Sequence, residues 1–341
     1  MSKLSSTPIS VLDLAPVATD QTAADAFKNS LLLAQCTERW GYNRYWVAEH
    51  HNMPGIASSA TSVLVGYLAA NTSTIRVGSG GVMLPNHAPL VIAEQFGTLE
   101  SMYPGRIDLG LGRAPGTDPP TSAALRRGLN QTGHDFPQLL SELMRYLGPS
   151  RPEQEVRAYP GTGLNVPLWL LGSSTFSAGL AAQLGLPFSF ASHFAPDELL
   201  DALHTYRDQF KPSQQLKKPY AMVGVPVIVA DTEQLAQKLA TTTYQKFLAL
   251  IRGNPIQGRP AVDDMDAIWT QYEKAAVMSR LAMAVVGSPR EVRDKLERIL
   301  EVTGADELIV VTDVFRHEDR LRSYQLLSEL KETAHAGLSS S

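Results

Sequence analysis

The chain has 341 residues, a formal net charge of −4, 44% hydrophobic residues and one cysteine. This composition excludes wholesale disorder, a disulfide within the chain and a metal site built from several cysteines. The mild acidic excess argues against nucleic-acid binding, which depends on clustered Lys and Arg.

The first residues and the apolar runs show no sign of export or of a membrane span. Residues 1–10 lack the long apolar core that a secretory signal needs. No apolar run approaches the ~20 residues that cross a bilayer. We therefore expect a soluble cytoplasmic protein. Cys36 lies in the apolar part of a predicted helix, which favours a buried structural thiol.

Strand and helix signals alternate along the chain. Short apolar or alternating runs predict eight strands, at residues 8–17, 43–48, 75–84, 106–111, 168–171, 188–191, 223–229 and 307–312. Runs with helical spacing predict the intervening helices, at residues 22–40, 58–70, 90–102, 121–147 with an interruption at 133–137, 177–184, 195–210, from 232 onward, 289–301 and 317–333.

Two segments rich in proline and glycine interrupt the alternation, at residues 148–167 and 252–264. The alternation resumes directly after the first, so we predict one domain over residues 1–341, with a frayed tail at 334–341. Eight alternating strands fit an α/β fold of the (β/α)8 TIM-barrel type. The alternative is a doubly wound open sheet with fewer strands and a helical extension.

Polar residues follow the predicted strands at the ends that a parallel barrel gathers on one face. They are Glu49, His50, His51, Asn86, His87, Arg113, Ser173, Ser174, His193 and Asp313. A histidine at this rim, with a pKa near neutral, is suited to general acid–base chemistry. A structural, hydrogen-bonded role stays open for His51, His87 and His193. Adjacent histidines without a further ligand at metal-site spacing do not predict a metal site.

Two segments are candidates for binding a phosphate. Arg113 follows a Gly-x-Gly pair after the fourth strand, where glycines permit close backbone approach and a guanidinium suits a phosphate. A dinucleotide fingerprint fits poorly, because prolines delay the next helix to about residue 121; an ordinary salt bridge stays open. The run from Ser173 to Ser177 joins a strand to a helix, where N–H groups favour an anion. A plain helix cap is the alternative.

Gly80 and Gly81 lie inside the third predicted strand. Because glycine weakens a strand, a pair there indicates a bulge or the close approach of a flat or bulky group. An aromatic ring system at the barrel mouth would fit, and simple packing is the alternative.

These motifs resemble the bacterial luciferase-like family of flavin-dependent monooxygenases. The similarity runs over nearly the whole chain and is specific in combination. It is carried by residues 9–16 (ISVLDLAP), 46–51 (WVAEHH), 77–85 (VGSGGVMLP), 106–113 (RIDLGLGR) and 284–289 (AVVGSP). The resemblance implies a (β/α)8 barrel with FMN, or the deazaflavin F420, bound at its mouth.

The resemblance also implies roles for individual residues. His50 matches the active-site histidine, and Gly80–Gly81 matches a non-prolyl cis peptide that packs against the isoalloxazine ring. Residues matching the phosphate-binding positions are Arg113, Ser174 and Ser177, while Ser173 stands where luciferase has a glutamate. We assign His51, His87 and His193 to the substrate pocket and expect no metal. Gly112 stands where luciferase has its reactive cysteine, which puts long-chain aldehyde oxidation and light emission in doubt.

The implied activity is oxidation of a small organic substrate by O2 and reduced FMN, with a separate NAD(P)H:flavin reductase as functional partner. The family usually forms homodimers through the second and third barrel helices, and a mobile segment covers its active site where residues 252–264 lie here. The alternatives are an F420- or FMN-dependent reductase or dehydrogenase and a non-catalytic flavin-binding protein.

Overall fold

The computed structural model describes residues 3–114, 116–125 and 135–336. Within these ranges nine strands form one sheet, and every strand pairing is parallel. The strands are β1 (Ile9–Asp13), β2 (Arg44–Val47), β3 (Arg76–Met83), β4 (Ile107–Gly112), β5 (Leu168–Gly172), β6 (Phe188–Phe190), β7 (Ala221–Val229), β8 (Val285–Gly287) and β9 (Glu307–Val311).

Eight of these strands close into a ring in the order β1–β2–β3–β4–β5–β6–β7–β9. Ile9 of β1 lies opposite Leu308 of β9, and Phe188 of β6 lies opposite Ala221 of β7. The closed parallel ring confirms the predicted (β/α)8 barrel and excludes the open sheet. The three-residue β8 pairs with the end of β7 outside this ring and is too short to show a sequence period.

Helices follow the strands and pack against the outside of the barrel. They are α1 (Lys3–Ser6), α2 (Ala23–Arg39), α3 (Thr61–Ala70), α4 (Pro89–Met102), α5 (Pro119–Leu125), α6 (Phe136–Leu147), α7 (Thr175–Leu184), α8 (Leu199–Asp208), α9 (Glu233–Ile251), α10 (Gln271–Arg280), α11 (Pro289–Thr303) and α12 (His317–Ala336), with a 3-10 turn at Leu84–Asn86. None of these described helices combines the length and apolarity of a membrane span. Cys36 is a buried free thiol, as predicted.

The helix boundaries follow capping chemistry where the sequence offers it. Thr22 and Asp25 form a reciprocal capping box at the start of α2, and Ser288 and Glu291 form another at α11. α10 was not predicted. α12 continues through Ala336, so residues 334–336 of the predicted tail are helical. The predicted interruption at 133–137 was wrong for its last two residues, because α6 begins at Phe136. Residues 337–341 of the tail, and 126–134 of the predicted helix 121–147, lie outside the described residues.

The barrel interior is filled by large apolar side chains. Trp46 and Trp169 meet edge to face with ring centroids 5.1 Å apart, and Leu12, Met222 and Ile309 complete the same buried cluster. Because these side chains close the middle of the barrel, a ligand has access to its ends and not to a central channel.

Charged side chains close the end of the barrel where the strands begin. Arg44 donates to Asp108 at 2.8 Å and to Glu307 at 3.0 Å, and Arg76 donates to Asp108 at 2.6 Å. Both carboxylates are fully buried, so these hydrogen bonds and ion pairs offset their loss of contact with water. This ion-pair layer leaves the opposite end, where the strands finish, as the open mouth.

The second segment rich in proline and glycine, 252–264, forms hydrogen bonds with two neighbouring parts of the chain. The N–H of Gly258 donates to Val17 O at 2.9 Å, and Gly258 O accepts from Thr19 at the same distance. On the other side, Thr242 of α9 donates to Arg259 O at 2.9 Å. The segment therefore bridges the β1–α2 connection and α9.

Candidate active site

Glu49 joins the segments that follow β2 and β3 at the barrel mouth. Its side chain is almost fully buried, with 1% exposed. Oε1 lies 2.9 Å from His51 Nε2 and accepts from Asn86 Nδ2 at 3.1 Å. His87 Nε2 lies 3.0 Å from both carboxylate oxygens, and the N–H of Met83 donates to Oε2 at 3.0 Å. One carboxylate therefore holds both segments together.

The charge of Glu49 is maintained by these donors. Burial works to raise the pKa of Glu49, but hydrogen bonds from His87, His51 and the Met83 N–H outweigh it and hold the pKa below its ordinary range. An ionised carboxylate only accepts, so both histidines present a protonated Nε2 to it. His51 and His87 stay predicted substrate-pocket residues, each with one ring nitrogen engaged by Glu49.

His50, the predicted catalytic residue, is held as a neutral imidazole. Burial lowers its pKa to about 4, and the positive fields of His51 and Lys246 act in the same direction, against the Glu49 carboxylate. Its Nδ1 is buried without a hydrogen-bond partner among the described residues. A buried N–H is rarely left unpaired. We therefore place the ring proton on Nε2, which makes that atom a donor.

The low pKa of His50 predicts a loss of stability in mild acid. The unfolded chain binds this proton below about pH 6.5, whereas the folded chain does so only near 4, so acid favours the unfolded state. Between pH 6.5 and 5 this one group costs about 2 kcal/mol. We expect His50→Gln to lose about 2 kcal/mol less than the wild type between pH 7 and 5 in urea unfolding. Equal losses would contradict the assignment of a neutral His50.

Gly80 and Gly81 form a side-chain-free stretch of β3 at the mouth. The peptide bond between them is cis, as the resemblance implied. The register of β3 against β4 shifts between Ser79 and Val82, which agrees with the irregularity predicted for a glycine pair. A Cβ on Gly80 would lie 2.8 Å from Leu12 Cδ1, and one on Gly81 would lie 2.8 Å from the oxygen of Gly110. Gly81 therefore requires glycine, because the backbone oxygen cannot give way, whereas a Cβ on Gly80 would require the Leu12 side chain to move.

Arg113 lies beside the start of α7. Its guanidinium carbon is 4.5 Å from the centroid of the Phe176 ring, in the first turn of that helix. Arg113 is exposed, and no described carboxylate lies within ion-pair distance of it. β4 and β5 are neighbours in the ring. The structure thus brings together the two predicted phosphate-binding segments.

The first turn of α7 offers donors for an anion. Ser174 is the N-cap residue, but its hydroxyl makes no capping bond, and Ser173 is half-buried beside it. The N–H of Thr175 donates to Glu198 Oε2 at 3.2 Å, so an anionic oxygen already meets this turn. Ser177 is buried: a Cβ on Gly172 would lie 2.5 Å from its Oγ.

Two further charged residues form an ion pair at the mouth, and one of them, Lys246, was missed from the sequence. Lys246 of α9 forms an ion pair with Asp313, which follows β9. Asp313 was expected at the rim because it follows a predicted strand. Lys246 occupies an ordinary helical position, and no nearby motif marks it as a site residue. Within the described ranges, no group of three or more His, Cys, Asp or Glu side chains is arranged to hold a metal ion.

Comparison with known proteins identifies the family. Residues 7–307 match the model of the luciferase-like monooxygenases. The chain belongs to the luciferase-like monooxygenase family. It is 57% identical to the uncharacterized protein YvbT of Bacillus subtilis, covering 95% of this chain and 96% of that protein. It is 54% identical to a luciferase-like monooxygenase of Escherichia coli K12, with the same coverage.

Three further proteins are similar over nearly the whole chain, in sequence or in fold. An N-acetyl-S-alkylcysteine monooxygenase of Bacillus subtilis is 32% identical, over 94% of this chain and 97% of that protein. The structure of apo-MsnO8 superimposes with a TM-score of 0.86 at 37% identity, covering 96% and 98% of the chains. An F420-dependent secondary alcohol dehydrogenase has the same fold, with a TM-score of 0.64 at 14% identity and coverage of 95% and 99%.

Proposed function

We propose that this protein is an FMN-dependent monooxygenase that uses reduced FMN and O2 to oxidise a small organic substrate. The observation that carries the proposal is the arrangement at one barrel mouth. A glycine pair, Gly80–Gly81, lies in the second half of β3, Arg113 lies beside the first turn of α7, and a neutral His50 follows β2. In FMN, the planar ring would pack on the glycine pair and near His50, and the phosphate would meet Arg113 and α7.

The residues fit FMN on structural grounds. Gly80 and Gly81 carry no side chains, and we propose that the planar ring packs against this part of β3. Arg113, Ser173, Ser174 and Ser177, with the first-turn N–H groups of α7, supply a cation and donors for the phosphate. The Thr175 N–H already donates to Glu198 Oε2 at 3.2 Å, so we expect the phosphate to use the other donors of this turn.

Reduced FMN, when bound, supplies the two electrons that activate O2 for transfer of one oxygen atom to the substrate. The chain's own contribution is orientation, proton handling and exclusion of water. His50 holds its proton at Nε2, and Glu49 fixes the neighbouring segments. We propose that residues 252–264 cover the site and keep water out of it. The substrate pocket is assigned to His51, His87 and His193.

We expect reduced flavin to come from another protein. The Gly-x-Gly sequence at Gly110 is followed by Arg113 and not by a helix that begins within the glycines, so a nicotinamide dinucleotide site is not expected there. We propose an NAD(P)H:flavin reductase as the functional partner and a cytoplasmic location. The named activity of the cysteine-thioether relative makes small thioethers, beside carbonyl compounds, the first substrates to test.

The proposal is tested by anaerobic equilibrium titration with reduced FMN, riboflavin and reduced F420, followed by air and a panel of thioethers and carbonyl compounds. We expect FMN to bind more tightly than riboflavin, and O2 uptake to yield an oxygenated product. Binding of F420 alone, or substrate oxidation without oxygen uptake, would favour a hydride-transferring reductase or dehydrogenase. Tight binding of oxidised flavin without turnover would favour a non-catalytic flavin-binding protein.

We also propose a homodimer formed through α3 and α4. These helices expose apolar side chains: Val63 is 73% exposed and Met102 53%, and Tyr67 and Val91 are exposed beside them. We expect Val63→Glu to convert a dimer into a monomer, because a buried unpaired carboxylate opposes association. Sedimentation equilibrium checks the mass, with Val302→Glu on exposed α11 as the matched control. A wild-type monomer, or a dimer in both variants, would contradict the proposal.

A further inference from the structure

His50 and His193 follow strands on opposite sides of the barrel. They follow β2 and β6, which are four strands apart in either direction around the eight-strand ring. Ala48 and Met222 of β7 belong to the apolar cluster inside the barrel, and side chains alternate between the two faces of a strand. His50 and Gly224, which are each two residues further along, therefore lie on the inward-facing side. Burial, with a smaller contribution from a positive charge on His50, lowers the pKa of His193 to about 4.

The position of His193 is fixed by its surroundings. The hydroxyl of the preceding Ser192 donates to Gly224 O in β7 at 2.6 Å. The imidazole then lies against the same glycine, since a Cβ there would come within 2.6 Å of His193 Nδ1. The Phe194 ring packs on its edge, with centroids 4.9 Å apart. Gly224 therefore provides the space that lets His193 turn inward.

Both imidazoles keep a donor free for a ligand. Nδ1 of His193, like Nδ1 of His50, is buried without a partner among the described residues. A buried N–H is rarely left unpaired, so we place the ring proton of His193 on Nε2 as well. A neutral imidazole donates through one nitrogen only, so each ring offers one Nε2–H.

We propose that His193 and His50 together bind the acceptor oxygen of the substrate, each donating its Nε2–H from its own side of the mouth. The substrate class is a small molecule with a carbonyl-type oxygen, as in an amide or a ketone. A protonated amine has no lone pair for either donor, so it is rejected. The inference rests on the proposed function, because oxidation of the bound substrate needs the flavin. Binding of the substrate oxygen by the two histidines does not need it.

The test uses the full chain labelled with 15N-histidine, with and without FMN, at pH 7. Long-range 1H–15N spectra report the tautomer of each ring, and His50→Gln and His193→Gln assign the two signals. We expect both rings to be neutral with the proton on Nε2. Acetamide, an uncharged amide probe, is expected to shift both Nε2 signals, whereas ethylammonium leaves them unchanged. His204 on the exposed surface of α8 serves as the internal control.

Further variants separate the role of His193 from a packing role. His193→Leu removes the donor, and we expect it to weaken acetamide binding at His50 about fivefold, the effect of one hydrogen bond. His193→Gln restores a donor and is expected to recover part of that loss. A proton on Nδ1, an imidazolium at pH 7, or an acetamide response no larger than that of His204 would overturn the inference. Failure of the same sample to bind FMN would overturn the flavin proposal alone.

Discussion

His50→Ala is expected to slow turnover at least a hundredfold while the affinity for reduced FMN changes by less than twofold. A positioned acid–base group contributes about 10²- to 10⁴-fold to a rate. The pKa of His50 is about 4 and not the near-neutral value expected from the sequence, so at pH 7 the ring is neutral and acts as a base or a hydrogen-bond donor and not as an imidazolium acid. It sits in a segment held by Glu49. The proposed phosphate contacts come from Arg113, which follows β4, and from α7, which follows β5. His50 follows β2, so the variant leaves these contacts intact.

Stopped-flow turnover and equilibrium FMN titration of the same preparations separate the two quantities. His204→Ala is the matched control, since this histidine is exposed on α8 and pairs with Asp208 at 3.0 Å. The control should match the wild type in both measurements. Parallel losses of rate and of FMN affinity in His50→Ala would show that the residue supports binding and is not an acid–base group.

Arg113→Ala is expected to weaken FMN binding about tenfold to a hundredfold and to leave riboflavin binding unchanged. A hydrogen bond to a charged group contributes about 1.5–3 kcal/mol, which corresponds to that range. Riboflavin lacks the phosphate, so it makes no use of the guanidinium. The effect is expected to shrink at high salt, because Arg113 is exposed and its charge is screened.

Fluorescence titration with both flavins at low and high salt provides the measurement. Arg113→Lys keeps the charge but loses the two-pronged geometry, so it should fall between the wild type and Arg113→Ala. Arg298→Ala, on the exposed side of α11, is the matched control. An unchanged affinity ratio of FMN to riboflavin in Arg113→Ala would remove this residue from the phosphate site.

The barrel was predictable from the sequence because its strands and its helices each show a characteristic spacing of apolar residues within a short stretch of chain. Apolar runs such as that of β7 and amphipathic runs such as that of α2 are complete within one element. β8 and α10 were missed for different reasons. β8 has only three residues, which is too short for a recognisable period. α10 has a single buried side chain, Val277, so no apolar stripe marks it.

The site was predictable only in part. The motifs indicated His50, Arg113 and the Gly80–Gly81 pair, and the cis bond was confirmed. The role of Glu49 was missed because its partner His87 is 38 residues away, and no spacing rule connects them. The ion pairs at Arg44 were missed for the same reason: Asp108 and Glu307 lie on other strands and meet Arg44 only inside the closed barrel.

The most direct test of the proposed monooxygenase is a single-turnover reaction with reduced FMN and ¹⁸O2, using thioether and amide-bearing carbonyl substrates. Mass spectrometry of the product follows the oxygen atom. The account predicts one ¹⁸O atom in the product, made only when flavin, O2 and protein are all present. Reoxidation of the flavin with no ¹⁸O in any product, or substrate oxidation under strict exclusion of O2, would contradict it.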